Sequence, residues 1–220
     1  MTPGARDALY ARAAWLAAFT AVYNLAEGAV SVFFGLEDET LSLFGFGVDS
    51  FVEVISGVGV WHMARRIRRN PDRSPDPFER RALRITGTAF YLLAAGLAAG
   101  AAASLASGHA PVTTFWGVVV ALVSIVTMWA LIRAKVRVGR ALDSDAILAD
   151  AACTRTCLYL SFVLLGASLG TEWTGVGGLD AAGALLIAAF ALREGREAFG
   201  KARGAATCRC AACGCSGETG

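Results

Sequence analysis

Three of the five segments that join the long apolar runs of this 220-residue chain contain neither lysine nor arginine. They lie around LEDET, SGHAP and TEWTG. A soluble surface would spread its positive charge, so this gap excludes an ordinary soluble exterior. Histidine is nearly absent, with two in the chain. His62 and His109 stand alone, and neither counts as a ligand. Cysteine is confined to two places, one apolar run and the C-terminal tail. There is no tandem repeat, no room for a separate soluble domain and no cofactor motif. The last absence argues against an enzyme and predicts no cofactor.

What is present is apolar. Hydrophobic residues make up 55% of the chain, with a mean hydropathy of +0.54, against roughly 45–50% in soluble domains. The excess falls in runs of membrane-spanning length. Six spans are expected, at about 11–34, 40–63, 83–107, 112–134, 146–170 and 174–196. The predicted fold class is an all-α membrane protein. Residues 1–200 form the six-helix transport domain and 201–220 a flexible Cys-rich tail. The first run is too long for a signal peptide, holds Glu27 and lacks a clear cleavage site.

Nineteen of the twenty basic residues fall on one side of these spans. ARRIRRNPDRSPDPFERRALR alone holds eight arginines. The positive-inside rule puts both termini in the cytoplasm. Heavy use of Ala, Gly and Arg points to a GC-rich bacterial source, hence to the inner membrane. The arginines follow membrane topology, so no nucleic-acid partner is expected. In the third span Gly96 and Gly100 permit close helix approach, within the chain or to a second copy.

The second span, GFGVDSFVEVISG, carries Asp49 and Glu53 four residues apart, on one helical face. An acid at a helix centre costs about 2.5–3.5 kcal/mol on insertion scales. Two ionised carboxylates at roughly 6 Å, at an effective dielectric of 20, repel by about 3 kcal/mol. A divalent cation removes both penalties, and so does protonation. A site able to swap the two is a metal/proton exchanger. A structural, hydrogen-bonded acid pair is the alternative.

The fifth span, SDAILADAACTRTCLYLSF, puts Asp150, Cys153 and Cys157 along one face. Carboxylate plus thiolate suits Zn²⁺ and similar borderline-soft ions, whereas Mg²⁺ and Ca²⁺ prefer all-oxygen shells. Cysteine as apolar filler is the alternative. In the first span Asn24 accompanies Glu27, which is a third-helix ligand, a proton carrier or a partner for Arg155. Arg155, the one basic residue inside a span, reads as half of a structural ion pair. Asp180 reads as a helix-start residue at the outer interface. Cys208, Cys210, Cys213 and Cys215 in the tail form CxCxxCxC, a soft-metal cluster in a reducing compartment.

The arrangement resembles the cation diffusion facilitator family of divalent-metal transporters, over nearly all of the six-span region. FGVDSFVEVIS is similar to that family's second-helix DSxxD motif, with Glu53 for the second Asp. LADAACTRTC is similar to its fifth-helix ADxxHxxxD motif, with Cys153 at the His position and Cys157 at the second acidic one. LDAAGALLIAAFALREGREAF resembles its sixth helix. The resemblance implies a homodimer in the bilayer. Each protomer would hold one tetrahedral metal site, made here of Asp49, Glu53, Cys153 and Cys157. Metal would leave the cytoplasm in exchange for protons by alternating access. The two cysteines imply a softer cargo, Zn²⁺, Cd²⁺ or Hg²⁺. The family's cytoplasmic metal-binding domain is not expected, which leaves dimerisation to the membrane helices.

Two other classes remain from the residues. One is a membrane metal sensor or delivery protein acting through its tail, which deletion of residues 205–220 would disable. The other is a redox enzyme using Cys153 and Cys157, although CxxxC is not the usual CxxC.

Overall fold

The computed structural model describes residues 3–69, 77–108, 110–143, 145–176 and 178–202. Inside those helices, the side chains of 3–7, 10, 56–57, 59–69, 77–83, 145–146, 149–150, 152–153 and 201 are outside the described set. Every described element is an α-helix: α1 (Pro3–Glu37), α2 (Leu41–Arg69), α3 (Pro77–Ser107), α4 (Phe115–Leu142), α5 (Asp145–Thr174) and α6 (Gly178–Ala202). The six expected spans are these six helices. Three stretches, Ala11–Glu37, Arg84–Ser107 and Phe115–Leu142, are long and apolar enough to cross a membrane by length and composition alone.

The helices run past the expected span ends. Hydropathy stops where charge begins, but Ala, Arg, Lys and Leu are good helix formers and carry the coil onward. Thus Arg133, Lys135, Arg137 and Arg140 lie on α4 rather than in a connector. Asp143 ends α4 in the left-handed conformation, its N–H donating to the Arg140 and Gly139 carbonyls.

The bundle is built from pairs. α1 packs chiefly on α2, α4 on α5 and α3 on α6, while α2 meets α5 and α6 over thinner surfaces. Leu43, Phe46, Phe90, Leu97, Leu160, Leu164 and Ile187 fill the space where α2, α3, α5 and α6 converge. Glycine brings α1 and α2 unusually close. A methyl at Gly35 would sit 2.5 Å from the Phe44 nitrogen, and one at Gly47 would sit 2.7 Å from Ser31 Cβ. The two small residues of α3 part company. Gly100 abuts Leu41 of α2, whereas Gly96 faces open space.

The ends facing the short connectors are tied by polar contacts. Asp180, in the first turn of α6, turns its carboxylate to the start of α2. Oδ2 accepts the Leu41 N–H at 2.8 Å. Oδ1 accepts the Ser42 N–H at 3.2 Å and the Ser42 hydroxyl. Helix starts leave N–H groups without intrahelical partners and favour negative charge. Asp180 is therefore a helix-start residue for α2 as well as for its own helix. Nearby, the Thr40 hydroxyl donates to the Thr113 carbonyl at 3.1 Å, and the Val112 N–H to the Asp38 carbonyl at 3.0 Å. Thr114 donates to Glu172 Oε2 at 2.7 Å, and Phe34 stacks on Trp116 with ring centroids 3.9 Å apart.

Candidate functional site

Helical periodicity places Phe46, Asp49, Ser50 and Glu53 on the inward side of α2. Asp49 and Ser50 are buried and Glu53 half-buried. Glu53 Oε2 is the meeting point of three helices. It accepts the Nδ2 amide of Asn24, from α1, at 3.1 Å. It also accepts the thiol of Cys157, which is buried on α5. One turn beyond, the Ser161 hydroxyl is within hydrogen-bond distance of the Cys157 carbonyl and of Ser124 on α4, at 2.9 and 2.8 Å.

A second acid comes from α1. Glu27 is buried on α1. Its Oε1 accepts the Tyr23 hydroxyl at 2.9 Å, and its Oε2 accepts the Ser50 hydroxyl at 3.2 Å. A third comes from α6, where Glu194 Oε1 accepts the Thr156 hydroxyl at 3.3 Å. Both Glu27 and Glu194 lie within electrostatic range of Asp49 and Glu53. Four carboxyl groups and one thiol thus share one interior region. No described ion pair reaches Glu27, Asp49 or Glu53; the pair described at the surface is Arg193–Glu197 at 3.3 Å.

The arrangement is rich in electron-pair donors. A carboxylate and a thiol that hydrogen-bond each other across a helix interface hold a proton where a borderline-soft cation would also bind. Among the described residues, no three His, Cys, Asp or Glu side chains stand together at metal-ligating range. The described nucleus is the Glu53–Cys157 pair, with Asp49 one turn away on α2. The side chains of Asp150 and Cys153, one face-turn before Cys157, lie outside the described residues. So do Cys208, Cys210, Cys213 and Cys215.

Several expectations are altered. Glu27 pairs with Tyr23 and Ser50, not with Arg155. Arg155 is exposed, and no described ion pair includes it. Two residues before the buried Cys157 on α5, it falls on another face of the helix. It is also not the one basic residue within the helices. Lys135 is 1% exposed and donates to Thr154 on α5 at 2.9 Å. Two residues of the interior were thus missed in the sequence, Lys135 and Glu194. The signal existed for both. Ser124, Met128, Leu131, Lys135, Val138 and Leu142 form one buried stripe at steps of three and four. On α6, Ala184, Ile187, Ala191 and Ala198 do the same, and Glu194 falls in the gap.

The model of the cation efflux transmembrane domain matches residues 14–203. The chain belongs to the cation diffusion facilitator family. No curated protein matches it. The matched region runs from the first turns of α1 to just past the end of α6, so it takes in every element described above. Family members are transporters rather than enzymes, and their cargo is divalent metal cations. The chain is therefore an integral membrane protein of metal cation efflux. Within that frame, the donor set around Glu53 departs from a purely carboxylate and imidazole site by its buried thiol.

Proposed function

We propose that this protein exports a zinc-type divalent cation, Zn²⁺ or Cd²⁺, in exchange for protons, by alternating access. The observation that carries the proposal is the hydrogen bond from the buried Cys157 thiol to Glu53, made across α2 and α5 with further acids around it. Asp49, Glu53, Cys153 and Cys157 bind the dehydrated cation when deprotonated. Asp150 and Glu27 supply further carboxylates along the path. When the helices rock and the site opens outward, protons from the more acidic side return to the ligands and release the metal. The thiol takes over the proton-carrying part that an imidazole would play near neutral pH. Two copies of the chain associate through their membrane helices. The four tail cysteines collect soft metal on the cytoplasmic side and hand it to the path, or set the rate by their occupancy. The protein works in the inner membrane of its cell with both termini in the cytoplasm.

The test is metal flux in proteoliposomes under an imposed pH gradient. Zn²⁺, Cd²⁺, Co²⁺ and Mn²⁺ are compared for wild type, Asp49→Asn, Cys153→Ser and Cys157→Ser. Proton-dependent Zn²⁺ and Cd²⁺ flux is expected in wild type and lost in Asp49→Asn. In the serine variants a shift of preference toward Co²⁺ or Mn²⁺ is expected, because a hydroxyl is a harder donor than a thiolate. Flux of no metal from folded protein sinks the exporter and turns attention to the tail as a sensor. Flux independent of the pH gradient removes the proton exchange alone.

A further inference from the structure

Asn24 of α1 is 3% exposed and stands across from the Glu53–Cys157 pair. Its amide is only half used. Nδ2 donates to Glu53 Oε2 at 3.1 Å. Oδ1 is buried and has no hydrogen-bond partner among the described residues. This orientation, with Nδ2 toward Glu53 Oε2, is the one that suits an ionised Glu53 carboxylate. Both amide atoms hang from one carbon, so the unpartnered oxygen belongs to the same amide that meets Glu53 Oε2, the atom that Cys157 also meets. A buried acceptor with no donor is unfavourable, and native interiors rarely keep one without a use.

The neighbours say what would satisfy it. The amide shares Glu53 Oε2 with the Cys157 sulfur, and carboxylate and sulfur supply lone pairs as an amide oxygen does. A divalent cation would satisfy all three kinds of donor. We propose that Asn24 is a ligand of the transported cation, contributing a neutral amide oxygen from α1 to a site otherwise made by α2 and α5. This rests on Glu53 and Cys157 being metal ligands, as proposed above. Without metal, the Asn24 N–H and the Cys157 thiol hold the Glu53 carboxylate in place. With metal, the amide presents its oxygen. A neutral donor completes the shell of a 2+ ion without adding a further negative charge to a region already crowded with acids. It also brings α1 into the transport cycle, since a ligand must follow the site.

The full-length protein in lipid nanodiscs is loaded with Cd²⁺ or Zn²⁺ by competition against a chromophoric chelator. Wild type, Asn24→Leu, Asn24→Asp and Cys157→Ser are compared, each with Cys208, Cys210, Cys213 and Cys215 changed to serine so that the tail holds no metal, with cadmium X-ray absorption to count oxygen and sulfur neighbours. Asn24→Leu keeps the size but removes both amide functions. Asn24→Asp removes the N–H donor and keeps an oxygen. As a ligand, Asn24 predicts a rise in Kd of about tenfold or more in Asn24→Leu. One oxygen neighbour is lost there, while Asn24→Asp keeps affinity and oxygen count. If Asn24 merely positions Glu53, both variants weaken binding alike with the oxygen count unchanged, and the inference fails. It also fails if Asn24→Leu binds as wild type does. Should Asn24→Leu not fold, retained affinity and oxygen count in Asn24→Asp support the ligand role, and their loss overturns it. A cadmium–sulfur count that Cys157→Ser leaves unchanged, or a wild-type site that binds no metal, refutes the site itself rather than Asn24.

Discussion

Asp180 and Glu53 are both acids inside a helical bundle, and they are held in opposite ways. Asp180 is surrounded by donors that belong to the backbone and side chain of one helix start, the Leu41 and Ser42 N–H groups and the Ser42 hydroxyl. These donors cannot leave, and the charge is matched to the positive end of α2. Glu53 is met by a side-chain amide and a thiol. The thiol proton can leave, and the other carboxyl groups nearby gain from any cation that replaces it. A buried acid is therefore structural when helix amides fill it. It is suited to exchange when its donors are removable and its neighbours share its charge.

The largest effect that tests this contrast is at Glu53. Glu53→Gln is expected to lower metal flux about a hundredfold or more while leaving the melting temperature the same or higher. Removing a buried charge relieves its desolvation, so loss of function without loss of stability is the signature of an exchange site. Equal losses of flux and stability would make Glu53 structural, like Asp180. Next comes Asp180→Ala, for which the reverse holds. Stability should fall by about 1–2 kcal/mol, as for the loss of a helix cap together with its charge, and the order of metal preference should stay unchanged in flux assays. A changed preference would erase the distinction between the two acids.

Asp38 supplies the smallest and sharpest test. It lies in the α1–α2 connector, buried, with Oδ2 lacking a hydrogen-bond partner among the described residues. Burial first, and the Glu37 carboxylate second, push its carboxyl above the usual aspartate range. The fold is then favoured while Asp38 is protonated. That stability is lost as pH rises from about 3.9, the ordinary aspartate value, through the raised one. Asp38→Asn should melt slightly higher than wild type at neutral pH, and the difference should vanish in acid. A gap that persists in acid would assign the effect to something other than the buried charge.

Most of the fold was legible in the sequence because apolar runs of spanning length leave few alternatives. Within the site, the pairing of α2 with α5 was legible from Asp49, Glu53 and Cys157 through their helical spacing. Other parts were hidden for identifiable reasons. The Asp180 cap joins positions 139 residues apart to Leu41, and no local pattern announces such a contact. Asn24 is a polar residue whose importance depends on which atom of its amide is satisfied, and that only coordinates reveal. Lys135 and Glu194 were obscured by their own charge, which marks a connector or a surface more often than a buried stripe. The stripe was readable once the apolar positions on either side of them were counted at steps of three and four.

The glycine contacts between α1 and α2 have a mechanical consequence. With Gly35 against the Phe44 backbone and Gly47 against Ser31, the two helices have almost no room to slide. α1 and α2 form one closely packed pair, and α4 with α5 another. Asn24 and Glu53 belong to the first pair and Cys157 to the second. On the proposed function, a cation held by both pairs would set the gap between them, so ionic radius would become a length that the bundle must accommodate. An ion too small or too large would leave the two pairs at the wrong spacing. Choice of cargo and helix spacing would then be governed by the same seam.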